Sequence, residues 1–324
     1  MTVSVRDAIE LTVEDLSVEI GSGPAGVHAV NGVGFSLEHG ERLGIVGESG
    51  SGKSMTAAAI LRVLPMHARI ARGRILLGGR DLLSLSEKEM EEVRGREISL
   101  VFQNAKGSLN PVFSVGSQIA SVYRRHLGGS RREAHARVVE MLASLGIENP
   151  QRVARSAPHE LSGGMAQRAL LAMGLICEPR VVVADEPTTG LDLTIQAQVK
   201  NVLAERLANS GSTLVLISHD IGVVASLCDL LLVMYGGEVC ESGRSAVVLG
   251  APKHPYTVGL LEAFRATERP AYIPGSASVR RGAIGGCVFA PRCSQAQPVC
   301  REVKPVLREL SDGRCAACHF AEAN

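Results

Sequence analysis

Apolar and polar positions alternate along residues 11–37, with Leu11, Val13, Leu16, Val18 and Ile20 in one run and Val27, Val30, Val33, Phe35 and Leu37 in a second. A period of two belongs to a half-buried strand, and the break Gly21-Ser-Gly-Pro24 supplies a turn, so the pattern predicts antiparallel strands. Arg42–Val46 differs: it is short, almost wholly apolar, and reads as a parallel strand covered on both faces. A helix is expected from there to about Leu64, ended by Pro65. The β pattern resumes over 68–101, with a hairpin arm at 73–79, a short charged helix at 86–94 and a strand at 98–102.

From Ser114 to about Cys177 the spacing becomes helical, as in Ala134, Val138, Met141, Leu142 and Leu145, with Gly146 placed like a C-cap and Arg131, Arg132 and Arg137 outward. This predicts a helical subdomain at about 112–178, inserted between two core strands. Apolar runs at 181–184, 213–217 and 230–234 then alternate with helical segments, the signature of a parallel sheet in an α/β core, and 238–241 reads as a final arm. Beyond about Gly250 the prolines Pro252, Pro255, Pro270 and Pro274 and a crowd of cysteines predict an irregular appendage. The expected division is therefore 1–250 and 251–324.

The first strand of that core runs into Gly47-Glu-Ser-Gly-Ser-Gly-Lys-Ser54. Glycine lets the backbone turn tightly enough for the N–H groups of Gly47, Ser49, Gly50, Ser51 and Gly52 to converge on phosphates at the positive end of the next helix. Lys53 would reach the β- and γ-phosphates of ATP, and the Ser54 hydroxyl would ligate Mg²⁺. The fold class expected is α/β, a P-loop (RecA-like) parallel-sheet core with an antiparallel β subdomain, a helical insertion and a Cys-rich extension. The run 181–184 ends in Asp185-Glu186, where Asp185 would hold the Mg²⁺ shell and Glu186 would polarise a water. Gln103 closes strand 98–102, at the strand end where ligand-binding residues collect in open parallel sheets. Ser162-Gly163-Gly164 opens a helix as a second anion site, best explained if it serves the nucleotide of another subunit.

Composition removes some alternatives. With 34 Lys+Arg against 33 Asp+Glu the net charge is +1, and no long basic block marks a nucleic-acid footprint. No apolar run reaches the ~18–20 residues that cross a bilayer, and acids stand where a secretory signal would be apolar, so a cytosolic chain is expected. Five of the eight cysteines, Cys287, Cys293, Cys300, Cys315 and Cys318, lie near the end. Such crowding in a cytosolic chain favours a metal site over disulfides, and the spacing suits either an iron–sulfur cluster or tetrahedral zinc, with a cysteine group that holds no metal as the third reading. Cys315 is surplus: it could replace Cys318 or stay free. Cys177, Cys228 and Cys240, in apolar surroundings, read as core fillers.

The set 47–54, Gln103, 161–168, 181–186, Gly190-Leu-Asp192 and His219, in this order, resembles the ATPase subunit of an ABC transporter over roughly residues 10–245. The resemblance implies that Gln103 senses Mg²⁺ and the γ-phosphate and couples to membrane subunits, and that Ser162 and Gly164 contact the γ-phosphate of a partner's ATP. It places Asp192 at the dimer interface and lets His219 bridge the γ-phosphate and Glu186. Ser108-Leu-Asn-Pro111, His254-Pro-Tyr-Thr257, Ile273-Pro-Gly275 and Gly286-Cys-Val-Phe-Ala-Pro-Arg-Cys293 are similar to ATPases of oligopeptide and dipeptide importers.

That narrower resemblance implies a peripheral subunit on the cytoplasmic face of the membrane. It would pair with a second ATPase, as a heterodimer, with two permease subunits and, indirectly, with an extracytoplasmic solute-binding protein. A [4Fe–4S] cluster on Cys287, Cys293, Cys300 and Cys318 is implied in the same way. A soluble ABC-type ATPase acting on DNA or the ribosome is the competing reading. The sequence also departs from the family pattern. Where an aromatic residue usually stacks on adenine this chain offers Ile20, Gln103 is followed by Asn104-Ala105 in place of an acid and a proline, and Gly190 stands where alanine is common.

Overall fold

The structure is a computed structural model that describes residues 9–21, 26–265 and 285–322. Residues 273–275 therefore lie outside the described residues. Two compact units divide the chain: one comprises Glu38–Glu41 and Ser84–Val215 with the chain up to Glu10, the other Leu11–Leu37, Arg42–Leu83 and the chain from Leu216 onward.

In the second unit, β1 (Ile9–Ile20), which enters it at Leu11, and β2 (Val27–Glu38) flank one another in a four-stranded sheet with β4 (Ala68–Leu77) and β5 (Arg80–Asp81), in the order β2-β1-β4-β5. β1 runs antiparallel to β4, pairing Leu11 with Leu77 and Ile20 with Ala68, and β4 to β5. A second set of strands carries β3 (Arg42–Val46) parallel to β9 (Leu230–Tyr235), followed by β10 (Glu238–Arg244), β12 (Cys315–Ala316) and β11 (Arg308–Glu309), each antiparallel to its neighbour.

Helix α1 (Lys53–Ile60) follows β3 and is shorter than the sequence implied. Pro65 does not end it. Arg62 takes a left-handed φ of 54°, and its N–H and that of Val63 turn back to the carbonyls of Ala59 and Ala58 at 3.0 and 2.8 Å. These two bonds close the last turn before the proline is reached.

The first unit carries β6 (Ile98–Val101) parallel to β7 (Val181–Asp185), and β8 (Thr213–Ile217) passes from it into the second unit. Residues 181–184 are 0% exposed, each valine contributing roughly 1.5–2 kcal/mol by burial. α2 (Glu87–Val93) starts from a reciprocal Ser86–Glu89 capping box. A short α3 (Ala105–Ser108), absent from the sequence reading, follows β6. The helical stretch is α4 (Val115–Leu127), α5 (Arg131–Ser144), α6 (Pro150–Arg155) and α7 (Gly163–Leu175). α5 begins on a second capping box, Ser130–Glu133, and stops where Gly146, at φ 73°, donates to the Ala143 carbonyl. α8 (Leu193–Ser210) completes the unit.

The second unit also holds α9 (Ile221–Leu227), α10 (Ser245–Gly250), α11 (Pro255–Arg265) and α12 (Pro298–Glu302). Among the described residues, the appendage beyond residue 250 is thus less irregular than its prolines implied. Pro255 sits at the first position of an eleven-residue helix, where its missing N–H costs nothing, and Tyr256, Thr257 and Leu261 are buried there.

Candidate active site

The phosphate-loop residues belong to the second unit. Gly47, Gly50 and Gly52 have φ of 152°, 79° and 101°. A Cβ on Gly47 would meet the Met234 carbonyl oxygen at 2.2 Å, and one on Gly52 the Ala29 carbonyl oxygen at 2.4 Å. Backbone approach of that closeness admits only glycine. Lys53 is 6% exposed, and its Nζ donates to the carbonyls of Gly47 (2.7 Å) and Glu48 (2.9 Å). An ammonium folded onto its own loop is poised for an anion to replace those carbonyls. Ser51 is buried, Ser49 and Ser54 are exposed, and Ile20, 36% exposed, ends β1. His219 is exposed just beyond β8.

The acidic residues belong to the first unit. Gln103 Nε2 donates to Glu186 Oε2 at 2.7 Å and Thr189 Oγ1 donates to the same oxygen at 2.8 Å. Glu186 itself sits at φ 48°, a left-handed conformation that a non-glycine residue holds only where its surroundings impose it. Asp185 ends β7, half-buried. The sequence assigns Gln103 and Glu186 separate roles; the structure joins them, and it adds Thr189, to which the sequence assigns none.

Ser162 caps α7 by accepting from Met165 N (3.3 Å), and Asp192 caps α8 by accepting from Ile195 N (3.0 Å). Gly163 is exposed, and a Cβ on Gly164 would lie 2.5 Å from Ile195 Cγ2. Ser162 and Gly164 border a cavity of ≈ 410 Å³ with Arg152, Met165, Arg168 and Gln198. Arg168 is fixed there by 2.6 Å bonds to the Gly146 carbonyl and the Gln198 side chain. Gly190 has φ 76°, so where alanine is common in the family this glycine serves a left-handed turn.

Cys287, Cys293, Cys300 and Cys318 line one small cavity together with His254, Phe289 and His319. All are free thiols, and burial raises the pKa values of Cys287, Cys293 and Cys318. Cys315 is outside that lining, in β12 opposite Ser242 and Glu309. As the side chains stand, no group of three or more His, Cys, Asp or Glu among the described residues is arranged to hold a metal ion. The donor set is nonetheless that of a thiolate-held centre, with four sulfurs around one space and no carboxylate. Burial lowers His254 to a pKa of about 4, and its Nδ1 accepts the Tyr256 N–H at 3.0 Å. Cys177, Cys228 and Cys240 are buried, as core residues should be.

Among the described residues no helix is long and apolar enough to cross a membrane. Residues 30–189 match the ABC transporter family, and residues 240–300 match the oligopeptide/dipeptide transporter C-terminal region. The chain is 44% identical, over 95% of its length and 94% of the relative's, to the probable peptide ABC transporter ATP-binding protein y4tR of Sinorhizobium fredii. It is 40% identical to the dipeptide transport ATP-binding protein DppD of Escherichia coli, covering 96% of each. Among solved structures it is similar to the ATP-binding cassette MJ0796, determined as a dimer in a post-hydrolysis state bound to ADP and Pi. That likeness has a TM-score of 0.66 at 25% identity and covers 72% of this chain and 98% of the other. The two matched regions and relatives 40% and 44% identical over nearly the whole chain place it in the family of ABC transporter ATP-binding proteins, in its oligopeptide/dipeptide branch.

Proposed function

We propose that this chain is the ATP-hydrolysing subunit that energises import of peptides through separate membrane permeases. The observation that carries the chemistry is the bond from Gln103 to Glu186, because it sets the carboxylate that must orient a water beside the residue taken to sense the γ-phosphate. Peptides as cargo are supported by the matched C-terminal region and by the names of the relatives, and the same relatives do not favour a factor acting on DNA or the ribosome.

In this reading Lys53 and the N–H groups of Gly47, Ser49, Gly50, Ser51 and Gly52 hold the β- and γ-phosphates. Ser54 and Asp185, a hydroxyl and a carboxylate, have the hard oxygen donors that Mg²⁺ takes, and Gln103 adds a carbonyl oxygen. Bound Mg²⁺ would neutralise phosphate charge. Glu186 polarises the attacking water, and the γ-phosphoryl group passes to that water as its bond to the bridging oxygen of ADP breaks. His219 takes the role at the γ-phosphate that the resemblance gives it. Ser162, Gly163 and Gly164 meet the ATP of a second ATPase subunit, with Asp192 at the same interface, and Ile20 gives adenine an apolar contact without stacking.

Residues 1–250 act as the nucleotide-binding domain and 251–324 as the extension. The working assembly is a heterodimer of ATPases on two permeases at the cytoplasmic face, fed by an extracytoplasmic solute-binding protein.

Glu186→Gln is the test. It should keep ATP binding, abolish turnover and trap the closed dimer; turnover at the parent rate would refute the assignment. We also infer that Cys287, Cys293, Cys300 and Cys318 hold a [4Fe–4S] cluster, on the support of their shared cavity. Protein purified without oxygen should be brown and carry iron and acid-labile sulfide. Zinc without iron would sink that reading.

A further inference from the structure

Glu48, the second residue of the phosphate loop, is held at three points from within its own unit. Its carboxylate receives a two-pronged bond from Arg292, Nη1 to Oε2 at 2.7 Å and Nη2 to Oε1 at 3.1 Å. Its N–H donates to the Tyr256 hydroxyl at 2.8 Å, and its carbonyl accepts from Lys53. Arg292 and Tyr256 both come from the chain beyond residue 250, and neither was singled out as a site residue by its motif.

These partners are built in. Arg292 is 7% exposed and Tyr256 0%. The Arg292 guanidinium also donates to the Tyr235 hydroxyl at 3.2 Å and lies 5.6 Å from the centre of that ring. Tyr235, Tyr256 and Phe289 pack together, with centroids 4.7 to 5.4 Å apart. Phe289 and Arg292 lie between Cys287 and Cys293, so the short segment that lines the cysteine cavity also grips the loop. The paired carboxylate drives the Arg292 pKa further up, and burial does the same for Tyr256, so the guanidinium stays charged and the phenol stays neutral.

We propose that Arg292 and Tyr256 are positioning residues for ATP binding, which act through Glu48 to hold the phosphate loop in its open, anion-accepting shape. The physical reason is charge and shape together. A carboxylate inside a phosphate-binding loop repels the ligand unless a cation neutralises it, and Arg292 does so in a fixed fork geometry. Tyr256 accepts the Glu48 N–H, which fixes the peptide whose other end, the Gly47 carbonyl, Lys53 would release when phosphate arrives. The proposal rests on the reading of residues 47–54 as the ATP-binding loop.

The test uses the full-length chain for nucleotide affinity and the assembled transporter for turnover. Arg292→Gln should weaken MgATP binding and raise the KM for ATP about tenfold, the loss of a charge-assisted bidentate pair. Tyr256→Phe, which removes only the acceptor of one neutral hydrogen bond, should do so by about threefold. Arg292→Lys should recover part of the loss, and kcat at saturating ATP should stay within about twofold, the pattern of lost ground-state binding. Affinity within twofold of the parent in Arg292→Gln, or lower thermal stability with unchanged KM, would overturn the proposal. If Arg292→Gln does not fold, Tyr256→Phe decides on the same criterion. Lys53→Met separates the two readings: retained ATP binding there would instead overturn the loop assignment.

Discussion

Helix α1 starts from Gly52 in the left-handed region with Lys53 folded back onto two loop carbonyls, whereas α7 starts from Ser162 in extended backbone with its hydroxyl occupied by the Met165 N–H. Both present glycine and a helix N-terminus, the elements of an anion site. The first is also anchored from elsewhere in its unit, by Arg292 and Tyr256, and contains its own cation. The second has exposed Ser162 and Gly163 and opens onto a cavity. A loop made to retain phosphates by itself needs the charge and the anchors; a surface offered to a phosphate already held by another subunit needs only donors and room. The contrast is what the proposed division of labour between two ATPases requires.

The largest effect should come from breaking the first member. Lys53→Met removes the only cation of the loop sequence, and MgATP affinity measured by titration should fall on the order of 100-fold, as for a charge-assisted phosphate contact. Breaking the second member should separate binding from turnover. Gly164→Ala places a methyl 2.5 Å from Ile195 Cγ2, so the Ile195 side chain or the start of α7 must shift where the partner's ATP is proposed to dock. ATPase activity in the assembled transporter should drop about tenfold, with ATP affinity of the isolated chain within about twofold. A parallel loss of affinity would show that α7 serves its own chain's nucleotide and would erase the contrast.

Much of this was legible because it is local. The phosphate loop follows from a few residues whose spacing has one backbone solution, and β7 followed by Asp185-Glu186 follows from an apolar run with acids at its end. The capping Ser162 also announces itself, since the hydroxyl that caps a helix lies next to it in sequence. What the sequence hid is long-range. Arg292 lies 244 positions from Glu48, and nothing in Ala-Pro-Arg-Cys specifies a carboxylate in the loop. Thr189 carried no signal of its bond to Glu186. The prolines after residue 250 misled because Pro255 opens a helix where a breaker was expected, and α1 stopped early at Arg62 because a left-handed non-glycine residue leaves no sequence mark.

A third helix start sharpens the comparison with the smallest effect. α8 is capped by the carboxylate of Asp192, which already places a negative charge at the helix N-terminus and so disfavours an anion there. It should behave as a structural start, unlike α1 and α7. Gly190 sets the turn that delivers Asp192, at φ 76° and with open space for 4 Å around the point where a Cβ would stand. Gly190→Ala therefore tests backbone strain with no clash, and it should lower unfolding stability by about 1 kcal/mol, the cost of a left-handed alanine. Thermal or denaturant unfolding reads this directly, and ATP affinity should be unchanged. Alanine is accommodated freely only if the turn relaxes out of the left-handed region. An unchanged unfolding midpoint would therefore mean that the strain at residue 190 is relieved in solution, and that Asp192 is delivered to its helix by some other geometry.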